Sequence, residues 1–217
     1  MTMQQPAGSR AISYPDSDGK PLAEKPLHRD ELMRCLQTLQ DAFADRPDVY
    51  ISGNVFLYYR EGDLRASISP DIFVVVGIPK LPEQDTYRVW EEGRPPTFVF
   101  EIASASTRRE DQVEKRDLYA RIGVAEYVLY DPLAEYLRPA LQAFRLVAGT
   151  YEPMPAAMDG AVVSEALDLR LRLVGGRLQL FRATGERLLS TRERLDAAEA
   201  RMAVLEAELK RLREDQQ

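Results

Sequence analysis

One cysteine, one histidine and one tryptophan occur in the 217 residues, and each scarcity removes a class of chemistry. A single thiol, Cys35, cannot form an internal disulfide and suits the reducing cytoplasm. Set among Met33, Leu36 and Leu39 at helical spacing, it reads as packing rather than as a nucleophile. The lone histidine, His28, argues against multi-histidine zinc hydrolases and histidine-centred nucleases. No apolar run approaches the length of a membrane span, and the opening MTMQQPAGSR lacks a signal-peptide core. Gly-rich phosphate loops, Cys/His metal pairs and internal repeats are also missing. The formal charge of −6, from 29 Lys and Arg against 35 Asp and Glu, opposes backbone binding of nucleic acid unless basic residues cluster locally.

What is present is enough for one well-cored domain with an appendage, since 45% of the residues are hydrophobic. Residues 1–13 are poor in apolar side chains and are expected to be disordered. Tyr14 to Lys25 is a polar, turn-rich approach. Pro26 opens a helix to about Ala44, with an inward stripe of Leu32, Cys35 or Leu36, Leu39 and Phe43. His28 precedes Leu32 by one turn on that face; packing or capping is the plainer reading, and substrate binding or proximity to a metal is the alternative for it, Glu24 or Glu31. Val49 to Tyr59 and Leu64 to Ser67, divided by Arg60-Glu61-Gly62-Asp63, read as a hairpin. It feeds a buried strand, Ser69-Pro70-Asp71-Ile72-Phe73-Val74-Val75-Val76, with proline tolerated near its start. Gly77 to Pro96 carries four prolines and Trp90 and reads as a connection with one short helix around Tyr87 to Glu92. Trp90 and Tyr87 have faces suited to stacking on bases, although anchoring the loop is the simpler use. From Leu141 to Phe181, short apolar runs broken by Ala148-Gly149, Asp159-Gly160 and Gly175-Gly176 predict hairpins extending or flanking the sheet.

Thr97 to Pro132, TFVFEIASASTRREDQVEKRDLYARIGVAEYVLYDP, organises the chain as strand, polar turn, helix, strand. The run Phe98-Val99-Phe100 ends on Glu101, an acid that needs a cation beside it if buried. Thr107 to Glu110 fits a capping box. In the helix that follows, Lys115 stands three, four and seven positions before Leu118, Tyr119 and Ile122, which places it on the buried face, toward the strand of Glu101. One reading makes Lys115 a salt-bridge partner of Glu101 or of Asp111; the other makes it catalytic. Asp71 and Glu101 at strand ends, with an inward lysine, suit phosphodiester hydrolysis. Their carboxylates are hard ligands for Mg²⁺, with the backbone carbonyl of Ile102 and waters completing the shell. Such an ion polarises the phosphate and acidifies water, while Lys115 orients that water or offsets phosphorane charge. Asp131 is a candidate third acid, although Asp-Pro after a strand is ordinary turn chemistry. Arg108, Arg109, Arg116 and Arg121 are the local basic residues, read either as a substrate contact or as a solvated helix face.

PD, then E-x-x-S-x-S-T, then the helix lysine, then YARIGVAEYVLYDP resembles the Uma-type family of restriction-endonuclease-like proteins in the PD-(D/E)XK nuclease superfamily. SDGKPLAEKPLHRDEL and DVYISGNVFLYYREG share the resemblance, which runs from about Tyr14 to about Glu186. It implies an α/β fold with a central mixed sheet flanked by helices, over residues 14–185. It also implies Mg²⁺ as cofactor, with Mn²⁺ as substitute, metal ligation by Asp71 and Glu101, Lys115 as the active-site lysine, and DNA as substrate. The superfamily's usual lysine two residues after the glutamate is replaced by Ala103. Side chains alternate along a strand, so Ala103 shares the face of Glu101 and leaves room for Lys115.

After Gly185 the chain contains no further proline or glycine. Leu188, Leu195, Met202 and Leu209 fall at heptad position a, and Thr191, Ala198, Leu205 and Leu212 at d, which predicts a coiled-coil tail over 186–217. Parallel pairing sets Arg194 against Glu199, Arg201 against Glu206 and Glu208 against Arg213, so a homodimer is expected. The alternative is an amphipathic helix folded back on the domain. The whole reads as a cytoplasmic Mg²⁺-dependent endodeoxyribonuclease. Two alternatives are a catalytically silent nuclease fold that binds nucleic acid or protein, and a coiled-coil adaptor.

Overall fold

The computed structural model of the protein describes residues 13–16, 26–80, 82, 84–104 and 110–214. In chain order the elements are α1 (Pro26–Ala42), β1 (Val49–Ser52), β2 (Phe56–Tyr58), β3 (Ser67–Ile68), β4 (Ile72–Val76), β5 (Thr86–Arg88), α2 (Val89–Glu92) and β6 (Phe98–Ile102). A π-helical turn (Glu110–Lys115) then runs into α3 (Arg116–Ile122). There follow β7 (Glu126–Tyr130), β8 (Leu141–Val147), β9 (Thr150–Pro153), β10 (Val162–Ser164), β11 (Leu169–Val174), β12 (Arg177–Arg182), β13 (Arg187–Leu188) and α4 (Thr191–Glu214).

The central sheet has six strands in the order β1-β4-β6-β7-β8-β9. It is mixed: β6 and β7 are parallel, and the other neighbours are antiparallel. The parallel pair needs a crossover, which the π turn and α3 supply. Both faces of the middle strands are covered, so β6 and β7 are apolar almost throughout rather than alternating with polar residues. On one face Phe98, Phe100 and Ile102 pack with Leu32, Cys35 and Leu39 of α1, backed by the antiparallel sheet β10-β11-β12-β13. On the other, Phe73, Val99, Ala103 and Tyr127 pack with Tyr119 of α3 and with Leu57 and Tyr87 of a small sheet, β3-β2-β5.

Several expectations change in detail. The predicted strand Val49 to Tyr59 is broken at Gly53-Asn54, where Asn54 takes a φ of 55° and a Cβ at Gly53 would lie 2.2 Å from the Asp71 carbonyl oxygen. The strand-hairpin-strand reading also hid a parallel pairing, β2 with β5. The helix carrying Lys115 opens as a π turn rather than as a regular α-helix. Tyr127 on β7 donates its hydroxyl to the Asp111 carbonyl at 2.9 Å, a contact that competes with the regular backbone ladder there. The capping residue Thr107 lies outside the described residues, as do 1–12 and 17–25. The Gly175-Gly176 turn, with φ of 60° and 80°, joins β11 to β12 as a hairpin in the left-handed conformation that glycine tolerates. Leu188, expected in the first heptad of the tail, pairs instead with Leu180 as part of β13. Among the described residues no helix is long and apolar enough to cross a membrane.

Candidate active site

Strand alternation decides what meets at the site. On β6, Glu101 lies between two residues facing α1 and so faces α3, where it is 1% exposed. From α3 and its π turn, Asp111, Lys115 and Tyr119, four residues apart, form one inward row, and all three are buried. Lys115 Nζ donates to Glu101 Oε2 at 2.9 Å and lies 3.1 Å from Asp111 Oδ1. The Tyr119 hydroxyl donates to Glu101 Oε1 at 2.6 Å.

Asp71 arrives from the neighbouring strand. The antiparallel register of β4 on β6, with Ile72 opposite Phe100, sets the residue before β4 beside Glu101. The Asp71 N–H donates to Glu101 Oε2 at 3.4 Å, and Asp71 Oδ2 accepts the Ile102 N–H at 2.7 Å. Behind it the Asn54 N–H donates to the Pro70 carbonyl at 3.0 Å. The close approach of Gly53 therefore holds the backbone that presents Asp71. On the open side, His28 Nε2 lies 3.5 Å from Asp71 Oδ1.

Three acids thus surround one lysine. Burial raises Glu101 above the ordinary carboxylate range; Lys115 opposes that rise, while Asp71 and Asp111 add to it. Burial would depress Lys115, but Glu101, Asp111 and Asp71 outweigh it and hold the ammonium above its ordinary value. Tyr119 is pushed well above the usual phenol range, first by burial and then by Glu101, so it remains a donor. Asp71 and Glu101 present hard carboxylate oxygen of the kind a divalent cation accepts. Among the described residues no three His, Cys, Asp or Glu side chains form a ready-made cage.

Tyr119 was legible in the sequence only as a member of the apolar stripe; its spacing of four from Lys115 was the available signal for a place at Glu101. Tyr119→Phe is expected to cost about 1.5–3 kcal/mol, the scale for a hydrogen bond to a charged group, because Glu101 Oε1 loses its donor in a dry site. Urea unfolding of the two proteins reads this directly, and equal midpoints would remove the hydroxyl from the support of Glu101.

Other sequence candidates fall elsewhere. Arg108 and Arg109, like Glu24, lie outside the described residues. The Arg116 guanidinium sits 5.5 Å from the Phe144 ring centroid. With Arg121 it lines a groove of about 380 Å³ against the β8–β9 hairpin rather than joining Lys115 at Glu101. Asp131 is not a third acid of the cluster: its carboxylate accepts N–H bonds from Leu133, Tyr136 and Leu137 and shapes its own loop. Glu31 ties α1 to β12 through Arg34 and Arg177. Tyr87 is fully buried, with its hydroxyl donating to the Arg94 carbonyl, so it cannot stack on bases. Trp90 packs 5.3 Å from Tyr14, an anchor for the segment before α1. Cys35 is buried in the core, and burial pushes its thiol up to about 12, consistent with packing.

The site thus sits on a mixed sheet with helices on its faces, Asp71 and Glu101 being brought together by the register of neighbouring strands. The fold is similar to the crystal structure of a protein from Anabaena variabilis ATCC 29413 described as a "putative nuclease belonging to DUF820". That likeness has a TM-score of 0.50 at 16% identity, covering 70% of this chain and 80% of that one. The model of the Uma2 family, described as "Putative restriction endonuclease", matches residues 4–179, and the chain belongs to that family. No curated protein matches the chain.

Proposed function

We propose that the protein is an endonuclease that hydrolyses DNA phosphodiester bonds, with Mg²⁺ as cofactor and Mn²⁺ as a working substitute, in the cytoplasm and as a homodimer through α4. The observation that carries the reading is the Lys115 ammonium 2.9 Å from Glu101, beside an Asp71 carboxylate pinned to the Ile102 N–H at 2.7 Å. Asp71, Glu101 and the Ile102 carbonyl would hold the cation. Bound there, it supplies positive charge that polarises the phosphate and makes water more acidic.

The remaining work belongs to the chain's own groups. Lys115, kept protonated by its acidic surroundings, offers a fixed charge to the phosphorane in a site from which bulk water is excluded. Tyr119 fixes one oxygen of Glu101, and Asp111 gives the lysine a second anchor, so neither side chain must reorganise during reaction. Ala103, on the Glu101 face, leaves the space that a lysine fills in the commoner pattern. His28 beside Asp71 is a proposed substrate contact, and Arg108 and Arg109, outside the described residues, are proposed with it.

The test is incubation of the purified full-length chain with single- and double-stranded DNA in Mg²⁺, Mn²⁺ or a chelator. Cleavage that the chelator abolishes is expected. Absence of cutting by folded protein with either ion would overturn the reading. Engagement of both Glu101 oxygens, by Tyr119 and Lys115, favours a second reading, a nuclease fold that binds nucleic acid without cutting it. Salt-sensitive DNA binding without cleavage is its signature.

A further inference from the structure

α4 carries apolar side chains that nothing among the described residues covers. Its 24 residues include none that is buried, which removes the folded-back alternative. Met202 is 60% exposed, and Leu205, the least exposed of the large residues at a and d, is 43% exposed. These side chains repeat at heptad spacing, with Leu195, Met202 and Leu209 at a and Ala198, Leu205 and Leu212 at d. Isolated apolar residues on a surface need no explanation; a continuous seam along one helix does.

The foot of the helix is fixed to the body. Glu193 Oε2 accepts the Ser190 N–H at 3.0 Å, and the Glu193 N–H returns to Ser190 Oγ at 3.3 Å, a capping box that starts α4. Asp41, in α1, accepts the Thr191 hydroxyl at 2.8 Å and pairs with Arg194. The helix therefore leaves the body in a set direction. The same contacts correct the heptad expected from sequence: Thr191 and Arg194 are committed to Asp41, and Leu188 to β13, so the seam begins at Leu195.

We propose that α4 is a parallel dimerisation seam for a second copy of this chain, packing the a and d residues from Leu195 to Leu212 against the same residues of the other copy. Flanking charge selects this occupant. In parallel register, Arg201 at g meets the other copy's Glu206 at e, and Glu208 meets its Arg213. None of these four is engaged within the described residues of its own chain. Antiparallel register would instead set Arg201 against Arg201 and Glu199 against Glu206. The seam is under three heptads long, so association is reversible and concentration-dependent. Parallel pairing leaves both globular bodies at the same end of the coil.

Sedimentation equilibrium of the full-length chain across micromolar concentrations tests the proposal without reference to catalysis. A reversible dimer is expected, and a monomer throughout overturns the seam. Arg201→Glu and Glu206→Arg, both exposed changes, each put like charges together at two contacts and should raise the dimer Kd about tenfold. An equimolar mixture of the two variants should recover the original affinity, because the mixed dimer restores both pairs. Tighter dimers from Glu206→Arg alone would mean antiparallel pairing, and unchanged Kd for both variants would place the interface elsewhere. Leu205→Arg should leave only monomer while the melting of the globular body stays unchanged; a persistent dimer overturns the proposal.

Discussion

Lys115→Ala should unfold more easily than the parent protein by about 3–5 kcal/mol at neutral pH, the cost of leaving buried acids without their cation. It removes an ammonium shared by Glu101 and Asp111, at 2.9 and 3.1 Å. The deficit should shrink as pH falls, because protonated carboxyls no longer need a counter-charge. A divalent ion should recover part of it, since binding to the folded state alone stabilises by mass action. If Lys115 also acts in the reaction, cleavage should fall about a hundredfold or more under conditions where the variant is folded, the scale for losing one preorganised stabiliser. Divalent affinity should persist, because lysine is not a ligand. Ala103→Lys, on the Glu101 face, should restore part of the activity in the Lys115→Ala background and impair it alone by crowding two cations. Urea unfolding, metal titration and cleavage across the three variants separate the roles. Undiminished cleavage by folded Lys115→Ala would take the residue out of the mechanism.

The second large effect lies at the acids. Glu101→Gln and Asp71→Asn should each abolish cleavage and weaken divalent binding, since each removes a proposed charged ligand. Stability should move differently from activity. Burial raises the Glu101 carboxyl above the ordinary glutamate value in the folded protein, so over the pH window just above that ordinary value the folded state holds more protons than the unfolded one. Metal-free stability should therefore fall as pH rises through that window. Glu101→Gln should flatten the dependence and match or exceed the parent's stability at its alkaline end. Thermal melts in chelator at several pH values measure this. Cleavage at the parent rate by either variant would remove the metal-site assignment, whatever the melts show.

Much of the site was readable along the chain because it depends on short-range periodicity. Alternation on the strand from Phe98 puts Glu101 and Ala103 on one face, and the spacing of Lys115 from Leu118, Tyr119 and Ile122 turns the lysine inward. Both follow from backbone geometry alone, and the observed contacts agree with them. The heptads of α4 were equally visible, being a local repeat.

Other features required the folded chain. Tyr119 is indistinguishable from a packing aromatic until β6 and α3 are brought together and its hydroxyl finds Glu101. The need for glycine at position 53 comes from the Asp71 carbonyl oxygen, 2.2 Å from where a Cβ would sit, a contact between segments separated in sequence. Asp131 and Asp71 are both acids at strand ends, yet one is spent on three N–H groups of its own loop and the other faces Glu101. Which outcome each acid meets is set by strand order and register. Sequence alone determined the alternation, the helical faces and the heptad spacing of apolar residues in α4, because those patterns are written in local spacing. Only the tertiary structure decided which acids share a lysine, and that Leu188 pairs in β13 and Arg194 with Asp41 of α1, because partners distant in the chain compete for the same groups.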